Sequence, residues 1–278
     1  MMKINALLES CGSVPSMPRV MASLLSELDQ PAPDLERIKR YVSADPGLTC
    51  RVLQVACADA HDTSACFDFS AADAVDHLGE RSFRLLGKTV AAAATFVVVP
   101  GLNMRQFWRV SLNTAKVAQY LATLLKLDQR SAFTIGLIHS VGEVIMQLGM
   151  PDESGILNQR IAPFLLGRAK AEEQLFGYSY ATVVAEFASR WHFPPSVTRA
   201  LRYCPTPYMQ DNYDPLVGVL HLAAWRARAF EAAFTPAQYA SEFPYQVALA
   251  LGLDIDTVLH QAPVDWHSAE SESRPLPC

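Results

Sequence analysis

The stretch Gly136–Gly142 (GLIHSVG) places one histidine among aliphatic side chains near the middle of the chain. Imidazole can bind a metal ion or transfer a proton near neutral pH, so His139 is the first candidate for chemistry. A metal-dependent hydrolase would place a carboxylate directly after such a histidine, because a divalent cation favours charged oxygen ligands. Here that residue is Ser140, which carries no charge. We interpret His139 as a hydrogen-bonded core residue, the usual role of a lone histidine on an apolar helix.

The other histidines and the cysteines do not suggest a metal site. None of the seven histidines forms an H-x-x-x-H or H-E-x-x-H pair, and no cysteines form a C-x-x-C pair. His61-Asp62 lies in a polar stretch that we expect to be an exposed loop. Cys50 and Cys57 are about two helical turns apart, and we expect them to be small core residues with free thiols. The sequence therefore predicts no metal and no cofactor.

Motifs for other kinds of chemistry are also missing. The sequence contains no G-x-S-x-G nucleophile motif and no glycine-rich phosphate loop. A nucleic-acid-binding regulator is an alternative, because short helices around Asp45–Ala58 could imitate a helix-turn-helix. The net charge of −5 disfavours it, since binding to phosphates normally requires a basic face. We therefore expect no nucleic-acid partner.

Composition predicts a protein with a substantial core. Half of the 278 residues are hydrophobic and 18% are charged. The start, Met1–Asn5, lacks the apolar segment of a signal peptide, and the longest apolar run, Val90–Val99, is too short to span a bilayer. Together with the expected free thiols, these features predict a cytoplasmic protein without a membrane partner.

The hydrophobic periodicity predicts an all-α protein. No segment shows convincing alternation of polar and apolar residues, and no Asn-Gly or Asp-Gly hairpin signal is present. Capping residues followed by apolar stripes predict helices that begin after Asp45, Asp128 and Asp214. The segment that contains the central histidine is predicted to be one continuous helix over Gln129–Leu148.

The best internal boundary is Pro100-Gly101, and it divides the chain into two predicted lobes. Residues 1–100 should form an N-terminal lobe of short helices, ending in an alanine-rich helix over Arg81–Val98. Residues 101–265 should form a second helical lobe, which begins with a long amphipathic helix over Met104–Leu127 and ends in short C-terminal helices. The polar, proline-rich tail over 266–278 is predicted to be disordered.

Six segments, taken in order, resemble the HDOD domain, a degenerate relative of the HD-type metal-dependent phosphohydrolases. Each segment alone is a weak signal, but their order and spacing along residues 13–232 make the resemblance fairly specific. It implies an all-helical, multi-helix fold with an N-terminal bundle of short helices packed on an HD-like helical lobe. The segments are Val14–Pro18, Val42–Leu53, Ala74–Leu86, Phe107–Ser111, Gly136–Gly142 and Trp191–Pro195.

The resemblance also shows where this chain departs from the HD hydrolases. Their first metal-binding histidine would fall at Val110, and their His-Asp pair falls on His139-Ser140. The asparagine that often stands in the N-terminal motif of the family is replaced by Cys57. Among the positions that correspond to the HD metal ligands, only His139 keeps a ligand of the expected type.

The later positions have changed in the same way. A further histidine of the HD enzymes would fall at about Tyr180, the next histidines at Cys204 and Pro205, and the last aspartate near Ala224. The loss of one carboxylate already weakens such a site strongly. We therefore predict that the chain is not an enzyme.

The resemblance implies a role in bacterial signal transduction, with a response regulator, a kinase or a cyclic-di-nucleotide enzyme as partner. We expect a stand-alone, non-catalytic module that acts by protein–protein contact or by sensing a small ligand. That ligand would bind in the cleft where the HD enzymes have their metal site. The replacing residues either fill that cleft or form a pocket for an uncharged or aromatic group. The alternative is a residual phosphohydrolase or phosphodiesterase that binds Fe, Mn, Mg or Ni beside His139.

Overall fold

The computed structural model describes residues 3–10, 14–63, 69–79, 98–208 and 214–259. These residues form helices joined by turns and short connections, and they contain no β-strand. The all-α prediction is therefore confirmed. The predicted tail over 266–278 and all but the last residue of the predicted helix Arg81–Val98 lie outside the described residues.

Four of the five N-terminal helices are short, as predicted, but the fourth has 18 residues, and the helices that follow range from 5 to 21 residues. The first are α1 (Ile4–Ser10), α2 (Pro18–Leu28), α3 (Leu35–Ala44), α4 (Pro46–Thr63) and α5 (71–79). They are followed by α6 (Met104–Leu124), α7 (Gln129–Ile138), α8 (Val141–Gly149), α9 (Pro151–Asn158), α10 (Arg168–Phe176), α11 (Tyr180–Arg190), α12 (Pro195–Tyr203), α13 (Pro215–Glu231), α14 (Pro236–Ser241), α15 (Tyr245–Ala250) and α16 (Ile255–Leu259). The polar stretch after residue 60 is helical as far as residue 63, where a loop was predicted.

Asp45 joins the N-terminal segment to the start of α4. Its carboxylate accepts a hydrogen bond from the Leu48 N–H at 2.7 Å, as predicted for a helix cap, and a second from the Met17 N–H. Thr49 Oγ1 donates to the Val42 carbonyl at 2.7 Å and closes the turn between α3 and α4. Burial raises the pKa of Asp45, although the backbone donors oppose that shift. This distinctive motif is therefore a structural joint.

The central helices pack closely where small residues face each other. A Cβ atom added to Gly136 on α7 would stand 2.8 Å from the Cα of Ala115 on α6. Helix α13 packs against both α6 and α7, while α11 packs against α8 and α12. These contacts hold the turn between α7 and α8 inside the core.

The prediction of one continuous helix over Gln129–Leu148 is wrong. Helix α7 ends at Ile138 and α8 begins at Val141, with His139 and Ser140 in a turn between them. Both halves are apolar on the sides that contact other helices, so the periodicity continues through the break. A bend imposed by tertiary packing leaves no local signal in such a pattern.

The segment 129–149 also bears on the prediction that no part of the chain spans a membrane. By length and composition alone it is apolar enough to cross a bilayer. However, 83% of the apolar window is buried against the rest of the fold, as in the core helices of soluble proteins.

One hydrophobic core contains residues from both predicted lobes. Leu53 and Val75 from the N-terminal part belong to the same buried cluster as Ile138 and Val184. A second cluster packs α13 against α6 and the C-terminal helices α14–α16. The boundary near residue 100 stays a prediction, but the two sides pack together.

Candidate functional site

Ser140 connects the turn after α7 to α6. Its Oγ lies 2.9 Å from the Oγ of Ser111, and both residues are fully buried. Val110, which precedes Ser111, is fully buried as well. Three of the six positions predicted from the resemblance (Val110, His139 and Ser140) therefore lie in the core. There the hydroxyl groups of Ser111 and Ser140 form a hydrogen bond with each other.

His139 is 1% exposed and is bonded through only one ring nitrogen. Its Nδ1 lies 2.7 Å from the Gly136 carbonyl oxygen, which can only accept, so Nδ1 carries the proton and donates. Nε2 therefore holds a lone pair, and it has no hydrogen-bond partner among the described residues. The prediction of a hydrogen-bonded core histidine is confirmed for Nδ1 alone.

Arg228 on α13 brings a buried positive charge to this region. Its side chain is 4% exposed, and Nη2 donates to Glu143 Oε1 at 2.7 Å. Nη1 donates to the Leu165 carbonyl at 3.3 Å. The guanidinium carbon lies 4.8 Å from the centre of the Tyr180 ring, a cation–π arrangement. We call His139, Glu143, Tyr180 and Arg228 the polar centre.

The polar centre keeps its histidine neutral. Burial and, to a lesser degree, the charge of Arg228 lower the pKa of His139 to about 3, and the hydrogen bond to Gly136 opposes this shift. The same burial raises the pKa of the Tyr180 phenol. Neither group therefore carries a charge near neutral pH.

A second buried ion pair lies beside the polar centre. Arg168 Nε donates to Glu172 Oε1 at 2.9 Å, and Glu172 Oε2 accepts from the Tyr180 N–H at 2.7 Å. Burial and the negative charge of Glu143 raise the pKa of Glu172 to about 7. Glu143 Oε2 accepts from the Phe164 N–H at 2.8 Å. Both carboxylates are thus engaged by arginines and backbone donors.

The other three predicted positions line a cleft. Tyr180, Cys204 and Ala224 line a cavity of about 460 Å³, and Arg228 lines it too. Burial raises the pKa of the Cys204 thiol to about 12, so this cysteine is not a thiolate nucleophile. All six positions are thus buried, and three of them also line the cleft beside Arg228.

Sequence reasoning missed Arg228 and Glu143. The signal that could have found them is a charged residue within a mostly apolar helix, because a buried charge requires a partner. Glu143 is the one charged residue of α8, and Arg228 is one of three in α13. Their separation of 85 residues hid the pairing. No local pattern connects positions so far apart.

We expect His139 to weaken the protein in acid. An imidazole with a pKa of about 3 when folded and 6.5 when unfolded gives the unfolded state more bound protons between those values. The free energy of unfolding of the wild type should therefore fall as the pH drops from 6.5 towards 3. His139→Asn retains a donor for Gly136 but does not titrate, so its free energy of unfolding should fall less, by about 2–3 kcal/mol between pH 6.5 and 4.

Urea denaturation at several pH values measures this difference. The two proteins must be compared at each pH, because Glu172 also changes the free energy of unfolding. Its raised pKa stabilises the folded state at low pH, and this contribution is lost as the pH rises through about 7. Equal acid slopes for the wild type and His139→Asn would contradict the assignment of a neutral, buried imidazole.

The all-helical fold and the order of its motifs define an HD-like helical protein. The profile of the HDOD domain matches residues 14–207, which is more than half of the chain. The chain therefore belongs to the HDOD domain family, as its motifs predicted. No curated protein matches it significantly.

Several solved structures share this fold. The MmoQ response regulator from Methylococcus capsulatus str. Bath is 24% identical, with a TM-score of 0.71 over 90% of this chain and 99% of that chain. A virulence factor from Campylobacter jejuni subsp. jejuni is 17% identical, with a TM-score of 0.66 over 97% of this chain and 100% of that chain. A Shewanella amazonensis SB2B protein, provisionally named a phosphohydrolase, is 25% identical, with a TM-score of 0.55 over 96% and 97%.

Proposed function

We propose that this chain is a non-catalytic signalling module of the HDOD family. The observation that supports this most directly is the buried guanidinium of Arg228 in the polar centre. It is paired with Glu143 and packed over Tyr180, one of the positions that would bind metal in an HD enzyme. Because Glu143 is neutralised by this guanidinium, it offers no free carboxylate to a divalent cation at this place.

The side chains around His139 do not fit the metal ion that the HD enzymes require. His139 Nε2 offers one lone pair, whereas the nearby carboxylates of Glu143 and Glu172 are already paired with arginines. In the part of the chain that the structure describes, no three histidine, cysteine or acidic side chains come together as metal ligands. One neutral imidazole does not hold a divalent ion that normally takes several ligands.

The signalling part of the proposal is supported by family membership and by the fold shared with a protein named a response regulator. In this role the chain would act in the cytoplasm on a response regulator, a kinase or a cyclic-di-nucleotide enzyme. The cleft beside the polar centre offers a place where a small ligand could modulate such a contact.

Metal analysis tests the non-catalytic part. We expect the purified chain, produced in medium supplemented with Fe, Mn, Mg and Ni, to contain less than about 0.1 metal ion per chain, because His139 offers a single neutral ligand and the nearby carboxylates are paired with arginines. We also expect no hydrolysis of bis(p-nitrophenyl) phosphate when these metals are added. Stoichiometric metal, or metal-dependent hydrolysis that His139→Asn abolishes, would establish the residual phosphohydrolase instead.

Affinity capture from an extract of the native cells tests the signalling part. The chain is the bait, and an unrelated all-helical protein of similar charge is the control bait. Specific enrichment of a response regulator, a kinase or a cyclic-di-nucleotide enzyme is expected. Reproducible capture of proteins outside signalling, without any of these classes, would contradict this part.

A further inference from the structure

The cleft beside the polar centre has the size and lining of a small-molecule site. Its volume of about 460 Å³ lies within the usual range for such pockets, roughly 300–1,000 Å³. Leu165, Leu166 and Pro205 give it apolar walls, and Tyr180 and Trp225 add aromatic ones. This lining favours a ligand with an apolar or aromatic body.

Two buried donors at this cleft have no acceptor. Arg228 Nε and Trp225 Nε1 are both buried, and neither has a hydrogen-bond partner among the described residues. Both side chains line the cleft. Buried N–H groups without partners reduce stability, so a ligand that supplies an acceptor here would be favoured.

The charged side chains of the cleft favour an anion. Three cationic residues line it, Arg168, Lys170 and Arg228, against one acidic residue, Glu173. The carboxylates that balance the two arginines, Glu143 and Glu172, are not part of the lining. These carboxylates neutralise the two arginines, so the groups that favour an anion are Lys170 and the unbonded Nε of Arg228.

From these three observations we infer that the cleft binds a small aromatic anion. Its oxyanion accepts hydrogen bonds from the Arg228 guanidinium and the Trp225 indole, and its ring contacts Tyr180 and the apolar walls. The sequence predicted a pocket for an uncharged or aromatic group; the inference keeps the aromatic ring and adds a negative charge. The inference rests on the proposed function, because a metal ion in the polar centre would change which ligands fit.

Binding of phenyl phosphate to the purified full-length chain tests the inference. Benzyl alcohol is the neutral analogue, benzylamine the cationic one, and benzoate separates a carboxylate ligand from a phosphate ligand. Calorimetry and tryptophan fluorescence should show at least about tenfold tighter binding of phenyl phosphate or benzoate than of benzyl alcohol, and no binding of benzylamine. Equal affinity for benzyl alcohol, or no binding of either anion, would overturn the inference.

Variants locate the binding to the cleft. Ala224→Phe fills the cavity without removing either ion pair and should weaken anion binding at least about tenfold. Ala169→Phe fills the same cavity from a half-buried position. It is the alternative variant if α13 does not accommodate the larger side chain at position 224. Circular dichroism and urea denaturation confirm that each variant is folded. A folded filling variant with wild-type affinity would place the ligand elsewhere.

A matched pair of charge variants distinguishes anion binding in the cleft from non-specific electrostatic attraction to the protein. Lys170→Gln removes a lining charge and should weaken anion binding about threefold, whereas Arg105→Gln removes an exposed charge outside the lining and should have no effect. Equal losses would indicate non-specific attraction and overturn the inference. If the protein contained metal and hydrolysed phenyl phosphate to phenol, the proposed non-catalytic function would be overturned. If metal-free protein bound neither anion, only the inference about the cleft would be overturned.

Discussion

Replacing Gly142 with alanine should destabilise the protein by about 3 kcal/mol or more. Gly142 lies in the first turn of α8, and a Cβ atom there would stand 2.8 Å from the carbonyl carbon of Tyr180 and closer still to its oxygen. The backbone of Tyr180 cannot retreat easily, because its N–H is bonded to Glu172 and its ring lies against Arg228. Equilibrium unfolding in urea measures the loss.

Gly155→Ala is the matched control. Gly155 lies in α9, where an added Cβ atom would meet no other atom within 4 Å. Alanine in a helix interior is more stable than glycine by about 0.5–1 kcal/mol, so this variant should be slightly more stable than the wild type. Unfolding of Gly142→Ala at the same urea concentration as the wild type would contradict the close packing of α8 against α11.

Replacing Arg228 with methionine should cost about 3–5 kcal/mol, the usual effect of breaking a buried ion pair. Methionine retains much of the apolar volume, but Glu143 Oε1 loses the donor that lies 2.7 Å away. The remaining carboxylate would then be buried without its counter-ion. Urea denaturation measures the change, and Arg105→Met, at an exposed site, should change stability by less than about 0.5 kcal/mol.

The double variant Arg228→Met/Glu143→Gln shows whether the loss comes from the unpaired charge. Glutamine carries no charge and can still accept the hydrogen bond from the Phe164 N–H, so the double variant should regain most of the lost stability. If the double variant were as unstable as the sum of the two single variants, the two residues would not be coupled. The buried pair would then not be the source of the stabilisation.

The sequence predicted contacts between residues close together in the chain, but not contacts between distant ones. The caps at Asp45, Asp128 and Asp214 were predictable, because each carboxylate accepts from an N–H two or three residues later. The same reasoning predicted one helix through His139, because apolar periodicity does not reveal a turn that packing imposes. It also gave no reason to connect Asp45 with the Met17 backbone.

The sequence by itself determined the all-helical class, the family and the position of the lone histidine, since these depend on local pattern and on motifs in order. Only the tertiary structure decided that all six positions are buried and that Tyr180, Cys204 and Ala224 also line a cleft. It also decided that Arg228 meets Glu143, because that ion pair exists only when α13 packs near α8. The physical reason is that buried charges are compensated through space, between residues whose spacing in the chain carries no information about their contact.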